Sequence, residues 1–530
     1  MSRQHIDIIV LVLYLALVLS LGIWSARRGF GRTTSGYFLG GRNFTWPFIG
    51  LSLFATDMSS MQFVGQAGFA YQAGIAAANP HLLGAFMLGF SAAFFAPVFV
   101  RSRIRTIPEL LELRYGKSAK VIFSVTILTV GLLLGPLGFY AGGLAILQIL
   151  GLSADWLWLC CLAMGGVIAA YSIAGGLASE MIMDVAQGLI LLIGGGIVLV
   201  AGLLRVAGDQ SMHFEPRQLE LILPAGDPLM PWTGVFSGLL IASLFFATTN
   251  AGLLQRVLSA RDTGHARRGM LLAAGLKLAA VFVVVFPGVI AARIFPGIYP
   301  DTAFPAMVGG LLPPGVSGLV LAALVAAIMS TAETSVNNLS SMVTLNIYPL
   351  INPRASERAS LRVGRVTAGV ILLFSVLAAP FVGRAGLIFP LMLQVGAYLL
   401  GPVGVCYLFG RFSRRVNLQG ALAVLAAGYG AGVFMVVAPH VGWMRRLVPE
   451  FVFKTNFYHV SAALALVYTV LLFAVSFATR PPGPERIAWM DAARRAEAED
   501  AAQKQRPWWQ SFGFWCGVLL AAFVAIYVVF

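Results

Sequence analysis

Runs of about twenty apolar residues recur along the whole 530-residue chain and constrain its fold more than any other feature. A helix needs about 18–25 such residues to cross a bilayer. Hydrophobic residues make up 59% of the sequence and charged ones only 11%, which excludes a water-soluble globule. We therefore predict an all-α polytopic membrane protein with about fourteen transmembrane helices, near residues 6–25, 45–72, 79–100, 121–149, 155–174, 181–206, 232–255, 270–293, 315–348, 362–383, 386–410, 417–438, 457–478 and 511–529.

Basic residues alternate between the two sets of loops that these helices define. Of the 36 Lys and Arg, 27 fall in one set, among them Arg256, and eight in the other, which leaves only Lys277 inside a predicted helix. Because cytoplasmic loops carry the excess of Lys and Arg, both termini are expected outside the cell membrane. This distribution accounts for the net charge of +15 without a nucleic-acid partner. The first apolar run lacks a small-residue cleavage site and is expected to be a retained helix.

The stretch Leu51–Tyr71 is long enough to span a bilayer, yet it carries five polar residues near its middle, among them Asp57. A carboxylate at the bilayer centre costs roughly 2.5–3.5 kcal/mol, so such a residue usually faces a cavity or an ion path. Ser and Asp side chains also compete for backbone hydrogen bonds. We expect a break near Ala55–Ser60 whose freed carbonyls suit sodium. The alternative is a kinked helix whose polar residues only bind neighbouring helices.

The stretch Ala322–Tyr348 is the second unusual element, because one long span contains many polar side chains: Ser330, Thr331, Glu333, Thr334, Asn337 and Asn338. Hydroxyls at successive positions, with the Ala327 carbonyl one turn earlier, offer oxygen ligands to a hard cation. In the alternative reading, the Ser and Thr hydroxyls bond to carbonyls of their own helix.

The helices fall into two blocks of five, 45–206 and 232–410, within a single membrane domain. Each block opens with a polar-interrupted helix, the second at Ser243–Gln255. An odd number of helices inverts the second block, and paired interrupted helices in inverted repeats indicate a transporter site at the membrane midplane. One helix, 6–25, precedes the blocks. Three follow within 417–530, with a polar segment, 480–506, expected to be cytoplasmic or interfacial, and calmodulin-like or lipid binding as alternatives.

Several separated motifs resemble the sodium/solute symporter family, and more closely its sodium/glucose cotransporter branch, between about residues 7 and 411. They include YFLGGRNFTWPFIGLSLFATDMSSMQFVGQAG, TIPELLELRYG, YSIAGGLASEMIMDVAQ, LLQRVLSAR, LKLAAVFVVVFPGVIA and QVGAYLLGP. Their order and spacing match the family. The resemblance implies a LeuT-type 5+5 inverted-repeat fold, sodium as the coupling ion, uptake of a small-molecule substrate and alternating access.

The resemblance also implies site residues. The shared sodium site would comprise the carbonyls of Ala55, Met58 and Ala327 and the hydroxyls of Ser330 and Thr331. The substrate site would comprise Asp57, Gln62, His81, Asn250, Lys277 and Gln394, with Ser243, Phe246 and Ala247 lining the same cavity. Four of the substrate-site residues have a plainer alternative: Lys277 snorkels or pairs with a carboxylate, Gln62 and Gln394 bridge helices, and His81 is a packed polar residue.

Family members with a second sodium have an aspartate where this chain has Asp184, and hydroxyl side chains where it has Glu333 and Thr334. This chain keeps the aspartate and Thr334, but a carboxylic acid, Glu333, replaces one hydroxyl. Two close carboxylates would ionise together only around a cation, so a second sodium or a shared proton is expected. The alternative is that Glu333 turns aside to pair with a basic loop residue or with Lys277.

Departures from the glucose-branch pattern bear on the substrate. The glucose branch carries Asn where this chain has Asp57, and at this position the chain is more similar to the proline branch. His81 replaces a glutamate of the glucose branch. The helix Val121–Leu150 contains no Arg that could bind a carboxylated sugar. A sugar or polyol is therefore favoured. Other sodium-coupled solutes, such as an amino acid or a carboxylate, an uncoupled uniporter or channel, and a transporter-like sensor remain alternatives. No HExxH, GxSxG or CxxC motif suggests an enzyme, and no obligate protein partner is indicated.

Overall fold

A computed structural model describes residues 3–27, 33–209, 213–382, 386–488 and 511–530. Within these ranges the chain is helical, and its only β-structure is two isolated bridges. The principal helices are α1 (Arg3–Arg27), α2 (Trp46–Asp57), α3 (Ala67–Ala73), α4 (Asn79–Phe94), α5 (Lys117–Ile149), α6 (Leu157–Ala207), α7 (Leu240–Thr249), α8 (Ala251–Leu258), α9 (Thr263–Ala280), α10 (Phe286–Ile294), α11 (Val316–Ser341), α12 (Glu357–Val382), α13 (Ile388–Phe412), α14 (Leu418–Val437), α15 (Phe457–Ala478) and α16 (Phe512–Val529).

Shorter segments join or extend these helices. Single α-helical turns and short helices are Thr34–Leu39, Ala96–Arg101, Pro108–Arg114, Pro216–Leu219, Trp232–Gly234, Ala303–Leu311, Tyr348–Ile351, Gly442–Arg445 and Glu450–Lys454. Met61–Gln66, Val235–Leu239, Val281–Val285 and Met342–Ile347 are π-helical. Such wide turns occur where a helix departs from regular packing, often at functional positions.

In the described part of the chain, twelve helical segments are long and apolar enough to cross a membrane, against the fourteen predicted. The difference arises at two breaks. The predicted span 45–72 is divided, so that α2 is short and its continuation runs with α4 as one segment, Met61–Phe94. The predicted span 155–174 corresponds to a short apolar helix, Ala154–Ala170, which precedes a sharp bend in α6 at Gly176. Both predicted helices are present, but each is too short to count alone.

The bend in α6 requires glycine. Gly176 has φ 64°, in the left-handed region, and a Cβ there would lie 2.4 Å from the Tyr37 carbonyl oxygen. A side chain at this position is therefore excluded by both backbone conformation and space.

Helix α11 lies at the centre of the molecule and packs against α1, α5, α6 and α12. Nearly all of its residues are buried, including the polar ones. Helix α2 packs against α6, α9 and α11, which brings the first interrupted helix beside the polar face of α11. Because a buried polar group is costly without a partner, this is where a functional site is expected.

The N-terminal helix is fastened to the start of α11 by Asp7. One Asp7 carboxylate oxygen accepts the backbone N–H groups of Gly315 (2.7 Å) and Gly318 (2.9 Å), and the other accepts the Ser317 hydroxyl (2.7 Å). The first amides of a helix have no intrahelical acceptor and carry partial positive charge, so an acidic side chain stabilises them. The helix that precedes the two blocks is thus an integral part of the fold.

The three trailing helices lie outside the two blocks. Helices α14 and α15 pack on each other and on α13, and α16 lies against α4 and α9. Of the predicted polar segment 480–506, residues 489–506 lie outside the described residues.

Candidate substrate and sodium sites

The first interrupted helix breaks where its sequence predicts. Helix α2 ends at Asp57, and Met58 leaves the helical conformation with φ −81° and ψ 73°. The chain resumes as a π-helix at Met61. The expected break near Ala55–Ser60 is confirmed.

The break releases two backbone carbonyls. In a continuous helix the Ser59 amide would bond the Ala55 carbonyl, but it donates instead to the Asp57 carbonyl (3.0 Å) and to Gln62 Oε1 (3.2 Å). Likewise, the backbone amide of Gln62 would bond the Met58 carbonyl in a continuous helix, but it donates instead to the Ser59 carbonyl (3.0 Å). The carbonyls of Ala55 and Met58 are thereby freed from their i+4 amides, as an inward-facing ligand set requires.

The second interrupted helix breaks at Asn250. Helix α7 ends at Thr249, Asn250 is extended with φ −65° and ψ 102°, and α8 begins at Ala251. The Asn250 side-chain oxygen accepts the Leu253 amide at 3.1 Å and caps α8. Asn250 therefore uses its oxygen as a helix cap, and its NH₂ group is the part left to face a solute.

The predicted ligands on α11 are hydrogen-bonded in two different ways. The Thr331 hydroxyl donates to the Ala327 carbonyl at 2.9 Å, as in the alternative reading of this helix, whereas the Ser330 hydroxyl donates to Asp184 Oδ1 at 2.6 Å. A hydroxyl oxygen has two lone pairs, so the Ser330 and Thr331 hydroxyls each keep an acceptor position, whereas the Ala327 carbonyl already accepts both the hydroxyl and, within α11, the backbone amide of Thr331. Thr56 on α2 and Thr334 on α11 lie 3.5 Å apart, oxygen to oxygen, and join the two helices. This oxygen set suits a hard cation.

A central cavity of about 250 Å³ lies between the interrupted helices and α4, α5, α9, α11 and α13. It is lined by seven of the eight predicted substrate residues: Asp57, Gln62, His81, Ser243, Phe246, Asn250 and Lys277. Thr331 reaches the same cavity. The break in α2 and the hydroxyl face of α11 therefore open onto one space.

Gln394 does not line the central cavity. It lies on α13 beside a separate groove of about 860 Å³, with Tyr398 and the loop around Asp227. The structure therefore places Gln394 on the opposite face of α13 from the other seven predicted substrate residues, and its role in substrate binding stays a prediction. Ala247 is buried and also stands outside the cavity lining.

Asp57 and Lys277 form a direct ion pair inside the central cavity. Their side chains are only 6% and 10% exposed, so neither charge is solvated by bulk water. Gly84 provides room for the lysine, since a Cβ there would come within 2.8 Å of Lys277 Cε. The alternative in which Lys277 pairs with a carboxylate is thus observed, and the partner is itself a predicted substrate residue.

Two uncharged polar side chains stand beside this pair. The Ser59 hydroxyl and amide both donate to Gln62 Oε1, which orients the Gln62 amide in the cavity wall. His81 is buried, and neither of its ring nitrogens has a hydrogen-bond partner among the described residues. A buried imidazole without partners is costly, so His81 has donor or acceptor capacity for a solute or a water molecule.

Arg256 is a buried residue of α8, which corrects its assignment to a cytoplasmic loop. Helix α8 continues to Leu258, and the Arg256 side chain is fully buried. Its guanidinium bonds Asp184 (3.0 Å), the Thr334 hydroxyl (2.6 Å) and the Gly252 carbonyl (3.0 Å). The guanidinium therefore supplies a positive charge at the position where a second cation is predicted.

Glu333 does not share the Asp184 position. Asp184 accepts bonds from Ser52, Ser330 and Arg256. Both Glu333 carboxylate oxygens are buried without a hydrogen-bond partner in the described structure, and so are the Tyr14 hydroxyl and the Gln187 amide. The two carboxylates are thus separated in their bonding, and Glu333 also lacks the predicted alternative partner, Lys277.

Sequence reasoning missed Arg256 and Glu180. Glu180 is fully buried and lies 3.6 Å from Arg256. Each residue stands at the edge of a predicted span, one just beyond position 255 and one just before 181. The available signal was a charged residue directly at the end of an apolar run. Such a residue can lie either in a loop or in a buried helix terminus, so the sequence alone did not identify these two as buried.

Two broken helices that meet at a central cavity within a polytopic helical protein are typical of a secondary transporter. Residues 37–428 match the model of the sodium:solute symporter family, and the chain belongs to that family. The prediction of a transporter, not an enzyme, is thereby confirmed.

Two relatives cover most of the chain. It is similar to the sodium/myo-inositol cotransporter 2 of Rattus norvegicus, with 32% identity over 556 residues, covering 96% of this chain and 82% of the relative. It is also similar to the sodium/glucose cotransporter of Vibrio parahaemolyticus, with 30% identity over 469 residues, covering 82% of this chain and 86% of the relative.

A solved structure of a Na⁺-coupled sialic acid symporter, substrate-bound and outward-open, resembles the fold. Its TM-score is 0.72 at 22% identity, and the likeness covers 90% of this chain and 98% of the solved chain. The LeuT-type fold expected from the sequence motifs is confirmed.

Proposed function

We propose that this protein imports a neutral sugar or polyol across the cell membrane together with sodium, by alternating access. The observation that carries the proposal is the Asp57–Lys277 ion pair in the central cavity. The pair has no net charge, and the remaining predicted substrate side chains around it are uncharged hydrogen-bonding groups or an aromatic ring. A solute with several hydroxyls matches this arrangement.

Charge pairing argues against the other solute classes. A substrate with a net negative charge, such as a carboxylate, would need an unpaired positive charge in the cavity, because an uncompensated buried ion is costly. Asp57 resembles the proline branch in sequence, but its carboxylate is already bound by Lys277. The two relatives, whose names specify myo-inositol and glucose, support the same choice.

Sodium is proposed to bind the carbonyls of Ala55, Met58 and Ala327 and the hydroxyls of Ser330 and Thr331. Two of these carbonyls are released by the break in α2, and the others lie on the polar face of α11. When bound there, sodium supplies the driving force for uptake, and the chain's own groups replace its hydration shell.

We further propose one sodium per solute. The predicted second position, between Asp184 and Thr334, already holds the Arg256 guanidinium. A cation placed beside it would be repelled, so the charge balance favours a single sodium.

Uptake by purified protein in proteoliposomes tests the function. Labelled myo-inositol and glucose are offered under an inward sodium gradient, with choline replacing sodium as the control. Sodium-dependent accumulation of one of them, inhibited by neutral polyols and not by glucuronate or proline, is expected. Equal uptake in choline would instead indicate a uniporter or channel, and no uptake of either solute would contradict the substrate class.

Both termini are proposed to lie outside the cell. Removing Arg256 from the loop count leaves 26 basic residues on the predicted cytoplasmic side against eight on the other, so the asymmetry persists. A single cysteine at Gly264 should be protected from an impermeant reagent in intact cells. One at Gln210, outside the described residues, should react. The reverse pattern would contradict this topology.

A further inference from the structure

A basic cavity of about 810 Å³ lies apart from the substrate and sodium sites, on the face that carries the excess of arginine. Among the described residues of its wall are five arginines and a single acidic side chain, Asp262. The arginines come from three separate segments: Arg42, then Arg101, Arg103 and Arg105, then Arg261. Its size is within the range of small-molecule pockets.

The acids near this cavity are already engaged. Asp262 accepts the His265 amide at 2.8 Å and caps α9. Glu109 accepts the Arg105 backbone amide at 2.7 Å and its guanidinium at 3.2 Å. Neither the Arg103 nor the Arg261 guanidinium has a carboxylate partner among the described residues, and both residues are exposed. The cavity thus has an excess of positive charge that the described chain does not neutralise.

The backbone is arranged to hold these charges together. Arg42 and Arg103 have φ values of 53° and 50°, in the left-handed region that non-glycine residues rarely occupy. The Arg42 guanidinium bonds the carbonyls of Arg103 and Ile104, each at 2.8 Å. Burial, and next the charge of Arg103, lower the pKa of Arg42. Backbone conformations that cost energy persist only where the surrounding structure holds them in place, and they are concentrated at binding sites.

We propose that this cavity binds a phosphate group, carried either by an anionic lipid headgroup or by a soluble phosphate ester. Guanidinium groups bind phosphate oxygens through two parallel hydrogen bonds, and several of them converging from different segments favour a multivalent oxyanion over a carboxylate.

The position of the cavity gives the bound anion a consequence for transport. The segment with Arg42 leads into the start of α2, and the segment with Arg261 follows the end of α8. One half of each interrupted helix therefore has a terminus beside this cavity. The segments already pair through the Phe44 amide and the Ser259 carbonyl (3.2 Å), and through the Arg261 amide and the Phe44 carbonyl (3.1 Å). A phosphate bridging their arginines stabilises the conformation in which these ends stay together.

Calorimetric titration of the purified protein with potassium pyrophosphate, in non-ionic detergent and at constant ionic strength, tests the site without adding sodium. The double variant Arg103→Gln/Arg261→Gln should bind pyrophosphate at least about tenfold more weakly than wild type. The matched control Arg354→Gln/Arg358→Gln removes two exposed arginines from the same predicted side, outside the cavity. It should bind within about twofold of wild type. If the double variant unfolds, Arg261→Gln alone is compared with Arg354→Gln.

A second arm identifies the source of the phosphate. The titration is repeated in nanodiscs of phosphatidylcholine with and without phosphatidylglycerol. Weaker pyrophosphate binding when the anionic lipid is present assigns the cavity to a lipid headgroup, and unchanged binding assigns it to a soluble ester. The proposal is overturned if wild type and both double variants bind pyrophosphate equally, or if the two double variants weaken binding to the same extent.

Discussion

Removing one member of the Asp57–Lys277 pair should cost far more than removing both. The two side chains are nearly buried, so each single variant, Asp57→Asn or Lys277→Met, leaves one uncompensated charge in the cavity. Breaking a buried pair in this way typically costs about 3–5 kcal/mol, whereas replacing both charges is often nearly neutral. In a double-mutant cycle we therefore expect a coupling of at least about 2 kcal/mol, with the double variant more stable than either single one.

The cycle is measured by thermal unfolding of the detergent-purified protein, without substrate and at fixed sodium. The exposed pair of Lys454 and Glu450 is the control, because its nitrogen–oxygen distance is 3.0 Å but both side chains are at least 74% exposed. Its cycle should give less than about 1 kcal/mol. Additive losses at Asp57 and Lys277 would refute the claim that the two charges depend on each other.

The Asp57→Asn variant also tests the proposal that the ion pair makes the cavity select a neutral solute. In Asp57→Asn the Lys277 ammonium has no carboxylate, and at about 4 Å and an effective dielectric constant of 20 its attraction for a substrate carboxylate is roughly 4 kcal/mol before desolvation. Glucuronate should then inhibit sodium-driven uptake at least about tenfold more strongly than in wild type. If glucuronate inhibits both proteins equally, the ion pair does not determine substrate charge.

Three further outcomes follow from the sodium site, the second-cation position and an acid outside the membrane spans. Ser330→Ala/Thr331→Ala should raise the half-saturating sodium concentration for uptake at least about tenfold, and an unchanged value would remove these hydroxyls from the site. The charge-to-solute ratio from reversal potentials should be one at every pH from about 5.5 to 8.5; a ratio of two, or a pH dependence abolished by Glu333→Gln, would contradict one-sodium coupling. Burial raises the pKa of Asp301 to about 7, although the Ile388 amide that it accepts lowers it. Since the folded state then binds this proton more tightly than the unfolded chain, stability should fall by a few kcal/mol as pH rises from about 4 to 7, while Asp301→Asn should lack this slope in thermal unfolding.

The fold could be predicted from sequence because its main determinants are local. Apolar runs locate the spans, and polar residues within a run locate the breaks at Met58 and Asn250, since Ser, Asp and Asn compete with the helix for backbone groups. What hydropathy could not show is how long each half of a broken helix is. That length depends on neighbours, as at Gly176, where the close approach of the Tyr37 carbonyl requires a glycine.

The candidate site was less predictable where it depends on which face of a helix points inward. Gln394 lies in an almost wholly apolar segment, so no polar periodicity distinguishes the cavity face of α13 from the opposite one. Asp57 and Lys277 could each be identified as costly intramembrane charges, but they are 220 positions apart, and only packing of α2 on α9 shows that they neutralise each other. The same limitation concealed the partners of Arg256.

Arg256 connects the proposed sodium site to the second interrupted helix. Asp184 accepts the hydroxyl of the proposed ligand Ser330 through one oxygen and the Arg256 guanidinium through the other. Because the Ser330 hydroxyl donates its hydrogen bond to a carboxylate, its lone pairs remain available to the proposed sodium, and the strength of that hydrogen bond depends on how much of the Asp184 charge Arg256 neutralises. Arg256 lies on α8, six residues after the break at Asn250. A movement of α8 that lengthens the Arg256–Asp184 contact would therefore alter sodium affinity without any change in the five ligands, which is a coupling of the kind that alternating access requires.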